Sequence, residues 1–154
     1  RPERPAVFSG RIGWFHRPLD AEWMHTAAQS LLGTHDFSSF RAAECQANSP
    51  IRNLTEVRVL RQEDWIVFDF AANAFLQHMI RNLVGALVHI GKGGAGPDLM
   101  ATLLAQKDRT LAPPTFMPDG LYLTGVDYDV VYGLPDTGQS GSGRVGDPLT
   151  VFNF

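Results

Sequence analysis

Residues 75–90 constrain this chain more than any other stretch. Leu76, Met79, Ile80, Leu83, Leu87 and Ile90 recur at steps of three and four, which puts them on one stripe of an α-helix. Such a stripe has to be buried against a second layer, so the remaining segments must supply a sheet or further helices. Gly91-Lys92-Gly93-Gly94 ends the helix and opens a loop.

The other segments supply both kinds of partner. Asp20 is a good N-cap and Glu22 suits a first turn, and Trp23, Met24, Ala27, Ala28, Leu31 and Leu32 follow at helical spacing until Gly33. Residues 34–40 read as a loop or single turn. Residues 54–61 alternate apolar and polar, Gln62-Glu63-Asp64 makes a turn, and the run from Trp65 to Phe70 is β-branched and aromatic, which predicts a β-hairpin. Pro97 starts a short helix to about Ala105, residues 110–119 form a proline-punctuated loop, and residues 121–131 read as a final strand. The expected class is α+β, an antiparallel or mixed sheet with helices packed on one face. Residues 1–132 form the folded unit, which opens with an extended lead-in over 1–18 that contains three prolines. Residues 133–154 form a Gly/Ser/Pro-rich tail whose last apolar residues dock.

Length and charge narrow the function. The chain has 154 residues, 44% of them hydrophobic and 19% charged, which suits one globular unit. No run of eighteen apolar residues exists, so no helical membrane span is expected. A single cysteine, Cys45, excludes an internal disulfide and a multi-cysteine metal site. The net charge of −3 argues against a purely electrostatic nucleic-acid binder, but it is unevenly spread. Residues 1–111 carry 12 Lys/Arg against 11 Asp/Glu, whereas residues 112–154 carry one against five. The chain starts on Arg1, not Met, which suggests a piece of a longer polypeptide.

General catalytic arrangements are poorly supported. His35-Asp36 with Ser38 and Ser39 has the residue types of a hydrolase triad, but neighbours in sequence do not adopt that geometry and no G-x-S-x-G elbow is present. Five scattered histidines show no metal-ligand spacing, and no metal is expected. The glycine cluster at 91–96 follows a helix and lacks the Lys-Ser/Thr of a phosphate loop. Arg81 is the anomaly: a cation at the edge of the apolar stripe, with Gly85 one turn on, where another backbone or a ligand can approach. It is either a surface arginine that keeps its head in water or one that meets a carboxylate brought from elsewhere.

Several ordered segments resemble the tRNA pseudouridine synthase A family. They are Gly33-Thr34-His35-Asp36-Phe37-Ser38-Ser39-Phe40-Arg41-Ala42, Ser49-Pro50-Ile51-Arg52, and Asn73-Ala74-Phe75-Leu76-Gln77-His78-Met79-Ile80-Arg81-Asn82-Leu83-Val84-Gly85. Lys107-Asp108-Arg109, Gly120-Leu121-Tyr122-Leu123 and Val126-Asp127-Tyr128 complete the series.

The resemblance implies a cofactor-independent RNA isomerase, cytoplasmic and homodimeric. It detaches uracil from ribose in the anticodon stem-loop of tRNA, turns it and rejoins it through carbon, after the base has been extruded. An aspartate in an R-T-D-x-G-V-H-A segment does the chemistry, and that segment is absent from these 154 residues. The chain therefore resembles the C-terminal half of such an enzyme and is expected to be inactive alone. By matching position, Arg81 is the partner of the absent aspartate. Leu121 lines the uracil pocket with an apolar wall, Gly120 lets the strand approach closely, and His35, Asp36, Phe37 and Phe40 shape the cleft wall. Arg52, Lys107 and Arg109 are candidate phosphate contacts. A non-catalytic RNA-binding or dimerisation module of the same fold, or an unrelated α+β scaffold, are the rival readings.

Overall fold

The computed structural model describes residues 3–4 and 6–126. Three helices pack on one face of a three-stranded antiparallel sheet of order β1-β2-β3, the α+β arrangement expected. The elements are α1 (Ala21–Ala28), β1 (Gly33–Asp36), β2 (Ile51–Gln62), β3 (Trp65–Ala72), α2 (Met79–Gly91) and α3 (Leu99–Gln106).

Helix α1 begins where its cap predicts. The Asp20 carboxylate accepts from the Trp23 amide at 2.9 Å, which satisfies one of the free donors of the first turn. Met24, Ala27 and Ala28 are buried, and a 3-10 turn over Gln29–Leu31 carries Leu31 into the same core. β2 and β3 form the predicted hairpin, paired from Leu54↔Ala72 to Gln62↔Trp65, with an irregularity between Leu54 and Glu56. Val57, Val59, Ile66 and Phe68 are buried in the core beneath the helices.

Three boundaries differ from the sequence reading. Residues 33–36, expected as a helix stop at Gly33 and a loop or turn from Thr34, are strand β1, paired antiparallel with β2 from Gly33↔Leu54 to Asp36↔Ile51. The pairing extends β2 back to Ile51 and overrides a weak local signal. Helix α2 starts at Met79, one turn later than Phe75, because His78 takes a left-handed backbone (φ 59°) that a helix interior does not admit. Its preceding carbonyl is used elsewhere: Gln77 O accepts from the Ala42 amide at 3.1 Å. Residues 121–126, expected to open a strand, form none; the remainder of that strand and the whole 133–154 tail lie outside the described residues.

Helix α2 is the centre of the core. Met79, Leu83, Leu87 and Ile90 of the stripe are fully buried, and so is Ala86, because α1, α3 and the 112–117 loop cover its other sides. Among the described residues no helix is long and apolar enough to cross a membrane.

Candidate functional site

The loop from Ala112 to Met117 lies along α2. Two features let it do so. A Cβ on Gly85 would overlap the Pro114 carbonyl oxygen, so the missing side chain admits that backbone, one of the two approaches its position suggested. Phe116 then pairs with Arg81 in both directions. Its amide donates to the Arg81 carbonyl at 3.1 Å, and its carbonyl accepts from Arg81 Nε at 2.9 Å.

Beyond this pair lies a shallow, open pocket lined by Ile80, Arg81, Val84, Phe116, Met117, Asp119 and Leu121. Its walls are largely aliphatic and aromatic, with one cation and one anion at the rim. Gly120, buried and at φ 85°, makes the turn that presents Leu121, whose amide donates to Pro118 O at 3.1 Å. That left-handed backbone favours glycine, so Gly120 serves turn geometry. The structure thus brings Arg81 and Leu121 together across 40 residues of sequence.

Asp119 is a carboxylate in this pocket that no sequence pattern singles out. It pairs with Arg4 Nη2 at 3.3 Å, not with Arg81. The Tyr122 hydroxyl donates to Arg11 O at 2.6 Å and holds the N-terminal lead-in beside it, and Trp14 Nε1 donates to Glu3 O at 3.2 Å within that lead-in. The two terminal nitrogens of Arg81 have no hydrogen-bond or ion-pair partner among the described residues.

The His35 to Phe40 segment sits apart from the pocket lining. Phe37 and Phe40 are fully buried in the core, so they support α2 from behind. His35 Nε2 lies 2.7 Å from Leu32 O, and its ring meets Phe37 edge-on at 6.1 Å. Asp36 Oδ1 accepts from the Ser38 amide at 2.9 Å and the Ser38 hydroxyl at 2.6 Å, and Lys107 Nζ lies 3.6 Å from Oδ2. Burial alone pushes the Asp36 carboxyl up, but the two Ser38 bonds and Lys107 outweigh it and hold the group below the usual carboxylate value.

The three candidate phosphate contacts separate. Arg52 Nη1 donates to Ser49 O and Ile51 O at 3.0 and 2.6 Å, which ties it to the start of its own strand. Lys107, in a left-handed C-cap of α3, is the exposed one, and among the described residues its ion-pair partner is Asp36. Arg109 is spent internally: Nη1 donates to Ala112 O (3.1 Å) and Pro113 O (3.2 Å), and Nη2 to Asn82 Oδ1 (3.1 Å) and Thr115 Oγ1 (3.0 Å). Asn82 was not singled out in the sequence, although a polar side chain beside Arg81 in so apolar a helix was a usable signal. Among the described residues no group of three or more His, Cys, Asp or Glu is placed to hold a metal ion.

A sequence model of the family described as tRNA pseudouridine synthase matches residues 27–129, more than half of the chain. The chain belongs to the tRNA pseudouridine synthase family. Its relatives include proteins named tRNA pseudouridine synthase A from three bacteria. The one from Nitrosomonas eutropha is 55% identical over 135 residues, which is 88% of this chain and 49% of the relative. Those from Dechloromonas aromatica and Aromatoleum aromaticum are 56% and 57% identical, covering 88% and 90% of this chain and 52% of each relative. The chain spans about half the length of the curated relatives it matches. Within this tRNA pseudouridine synthase family member, the matched stretch includes β1, the hairpin, α2 and the loop that builds the pocket.

Proposed function

We propose that this chain forms one wall of a tRNA pseudouridine synthase active site and supplies its basic residue, Arg81. The observation that carries the reading is the state of that guanidinium. Nε is anchored to Phe116 O, the residue lines a largely apolar pocket, and its two terminal nitrogens have no partner among the described residues. A cation so placed is suited to hold a carboxylate ionised and aimed. The carboxylate at hand, Asp119, is engaged by Arg4, and the 154 residues contain no R-T-D-x-G-V-H-A segment. The nucleophilic or basic aspartate therefore comes from a polypeptide segment beyond these residues.

In this reading the substrate is a uridine of the tRNA anticodon stem-loop. Its base leaves the stack and enters against Leu121, Ile80 and Met117, where excluded water strengthens the charge pairing. Gly120 sets the height of that wall. His35, Asp36, Phe37 and Phe40 keep the cleft in shape, and Lys107, exposed where Arg52 and Arg109 are not, is paired with Asp36. The reaction is an isomerisation at the nucleoside, so atoms balance without a cofactor.

The test is pseudouridine formation in tRNA by the 154-residue chain, alone and fused to the N-terminal part of the Nitrosomonas eutropha synthase that it does not match. The chain alone should give no product, and the fusion should turn over. Arg81→Ala in the fusion should cut the rate by roughly a hundredfold or more, the range for lost charge stabilisation. Turnover by the unfused chain, or an unchanged rate in Arg81→Ala, overturns the reading.

A further inference from the structure

Asn82 is the second polar residue of α2, and it is 1% exposed. A buried side-chain amide is costly unless its polar atoms are paired, and both the nitrogen and the oxygen of this one are. Asn82 Nδ2 donates to Phe40 O at 2.8 Å, and Oδ1 accepts from the Thr115 hydroxyl at 2.6 Å and from Arg109 Nη2 at 3.1 Å. Thr115 Oγ1 also accepts from Arg109 Nη2, which closes a three-membered ring of side chains. Through Nη1, Arg109 also grips the carbonyls of Ala112 and Pro113.

These bonds fall on a loop with little means of ordering itself. Pro113 and Pro114 have no backbone donor, so no regular ladder can form across them. The ring of Asn82, Arg109 and Thr115 replaces that ladder and fixes the chain up to Thr115. The next residue is Phe116, whose carbonyl holds Arg81 Nε.

We infer that Asn82, Arg109 and Thr115 are positioning residues that, through the Phe116 carbonyl, fix the direction in which Arg81 presents its guanidinium. The inference rests on the proposed role of Arg81. It adds a geometric consequence. An arginine can meet a carboxylate side-on, through Nε and one terminal nitrogen, or end-on, through both terminal nitrogens. With Nε occupied by Phe116, the side-on mode is closed, and Arg81 receives its partner end-on. Arg109 accordingly acts inside the protein and not on a phosphate.

The test substitutes Thr115, which is exposed enough for the fold to tolerate the change. Thr115→Val removes the hydroxyl at constant shape, and Thr115→Ser keeps it. In the ¹⁵N-labelled 154-residue chain, the Arg81 Nε–Hε signal is identified by its loss in Arg81→Lys. It should be shifted and slow to exchange in the parent and in Thr115→Ser, and should move to the free-arginine position in Thr115→Val. In the fused enzyme, Thr115→Val should lower kcat roughly tenfold or more with KM little changed, as misplacement of an aimed group does, and Thr115→Ser should restore it. In an Arg81→Ala background Thr115→Val should cost nothing further. An Arg81 Nε–Hε signal indifferent to Thr115→Val, or losses that simply add, overturns the inference even if Arg81→Ala is inactive. Full turnover in Arg81→Ala overturns the functional reading instead, so the two failures are distinguishable.

Discussion

Two aspartates in this chain have carboxyl groups displaced in opposite directions, and their environments explain the difference. At Asp36, burial is outweighed by two bonds from Ser38 and the nearby Lys107, so the folded-state value lies below the ordinary 3.8. Asp69 is raised above 3.8, first by desolvation and then by Glu56, with Arg58 at 3.5 Å only partly offsetting them. Its Oδ1 is buried with no hydrogen-bond partner among the described residues. The folded chain binds fewer protons at Asp36 than the unfolded chain does, so Asp36 contributes stability above about pH 4 that is lost as pH falls through its lowered value. For Asp69 the sign reverses. Its contribution is fully present below 3.8 and is lost as pH rises through the raised value. Asp36→Asn should therefore lower the urea midpoint at pH 7 and lose less on acidification to pH 3 than the parent. Asp69→Asn should hold or raise the midpoint at pH 7. Equal midpoints for Asp36→Asn and the parent at pH 7 would refute the assignment. Single residues were unevenly legible in the sequence. Arg81 announced itself as a charge in an apolar stripe, whereas Arg109 looked like any surface cation. Its acceptors, Asn82 and Thr115, lie 27 residues before it and six after it, and no spacing rule couples them.

At the level of elements, periodicity identified α1, the hairpin, α2 and α3 because each carries its own burial pattern. β1 escaped it, since Gly33-Thr34-His35-Asp36 has no apolar alternation and owes its strand to β2. The true start of α2 escaped for a related reason: the backbone at His78 is bent to serve the Ala42–Gln77 contact, a tertiary demand. The same kind of demand governs the far side of β2, where β1 has ended. There Gln29 Nε2 of the 3-10 turn donates to Val57 O, and the Val59 amide donates to His25 Nδ1 on α1, both at 3.3 Å, so side chains satisfy a strand edge. The 112–117 loop packs tightly on α2 at Gly85, where a Cβ would collide with Pro114 O. That contact is backbone, which cannot swing aside as a flexible side chain does. Gly85→Ala should cost about 1–3 kcal/mol, the range for overpacking a filled core, despite the better helix propensity of alanine. Lifting the loop should also release Phe116 from Arg81. Urea unfolding checks the first effect and the Arg81 Nε–Hε signal the second. A stabilised Gly85→Ala chain would show that the 112–117 loop is not seated as described.

For the whole molecule, the question is how a chain of net charge −3 meets the proposed tRNA partner. Sequence counting left residues 1–111 nearly balanced, and the fold reduces the usable cations further. Arg52 and Arg109 donate to backbone carbonyls, as do Arg41 and Arg61 to Ala47 and Leu19. Arg58 lies between Glu56 and Asp69, Arg4 holds Asp119, and Lys107 is near Asp36. Arg11, Arg17 and Lys92 are exposed and have no side-chain partner among the described residues. Each cation that neutralises a phosphate releases about 0.7–0.9 of a counterion. Three of them give a slope of about −2 to −3 in a plot of log affinity against log salt. The 154-residue chain alone should therefore bind an anticodon stem-loop RNA weakly, with that shallow slope, and Arg11→Ala or Arg17→Ala should each reduce the slope by about one. In the fusion with the Nitrosomonas eutropha segment the slope should steepen, because the added polypeptide must contribute the remaining phosphate contacts. A slope of about −6 or steeper for the unfused chain would mean that it carries a complete RNA-binding face by itself. The half-site account, in which affinity as well as the aspartate is supplied from outside these residues, would then fail.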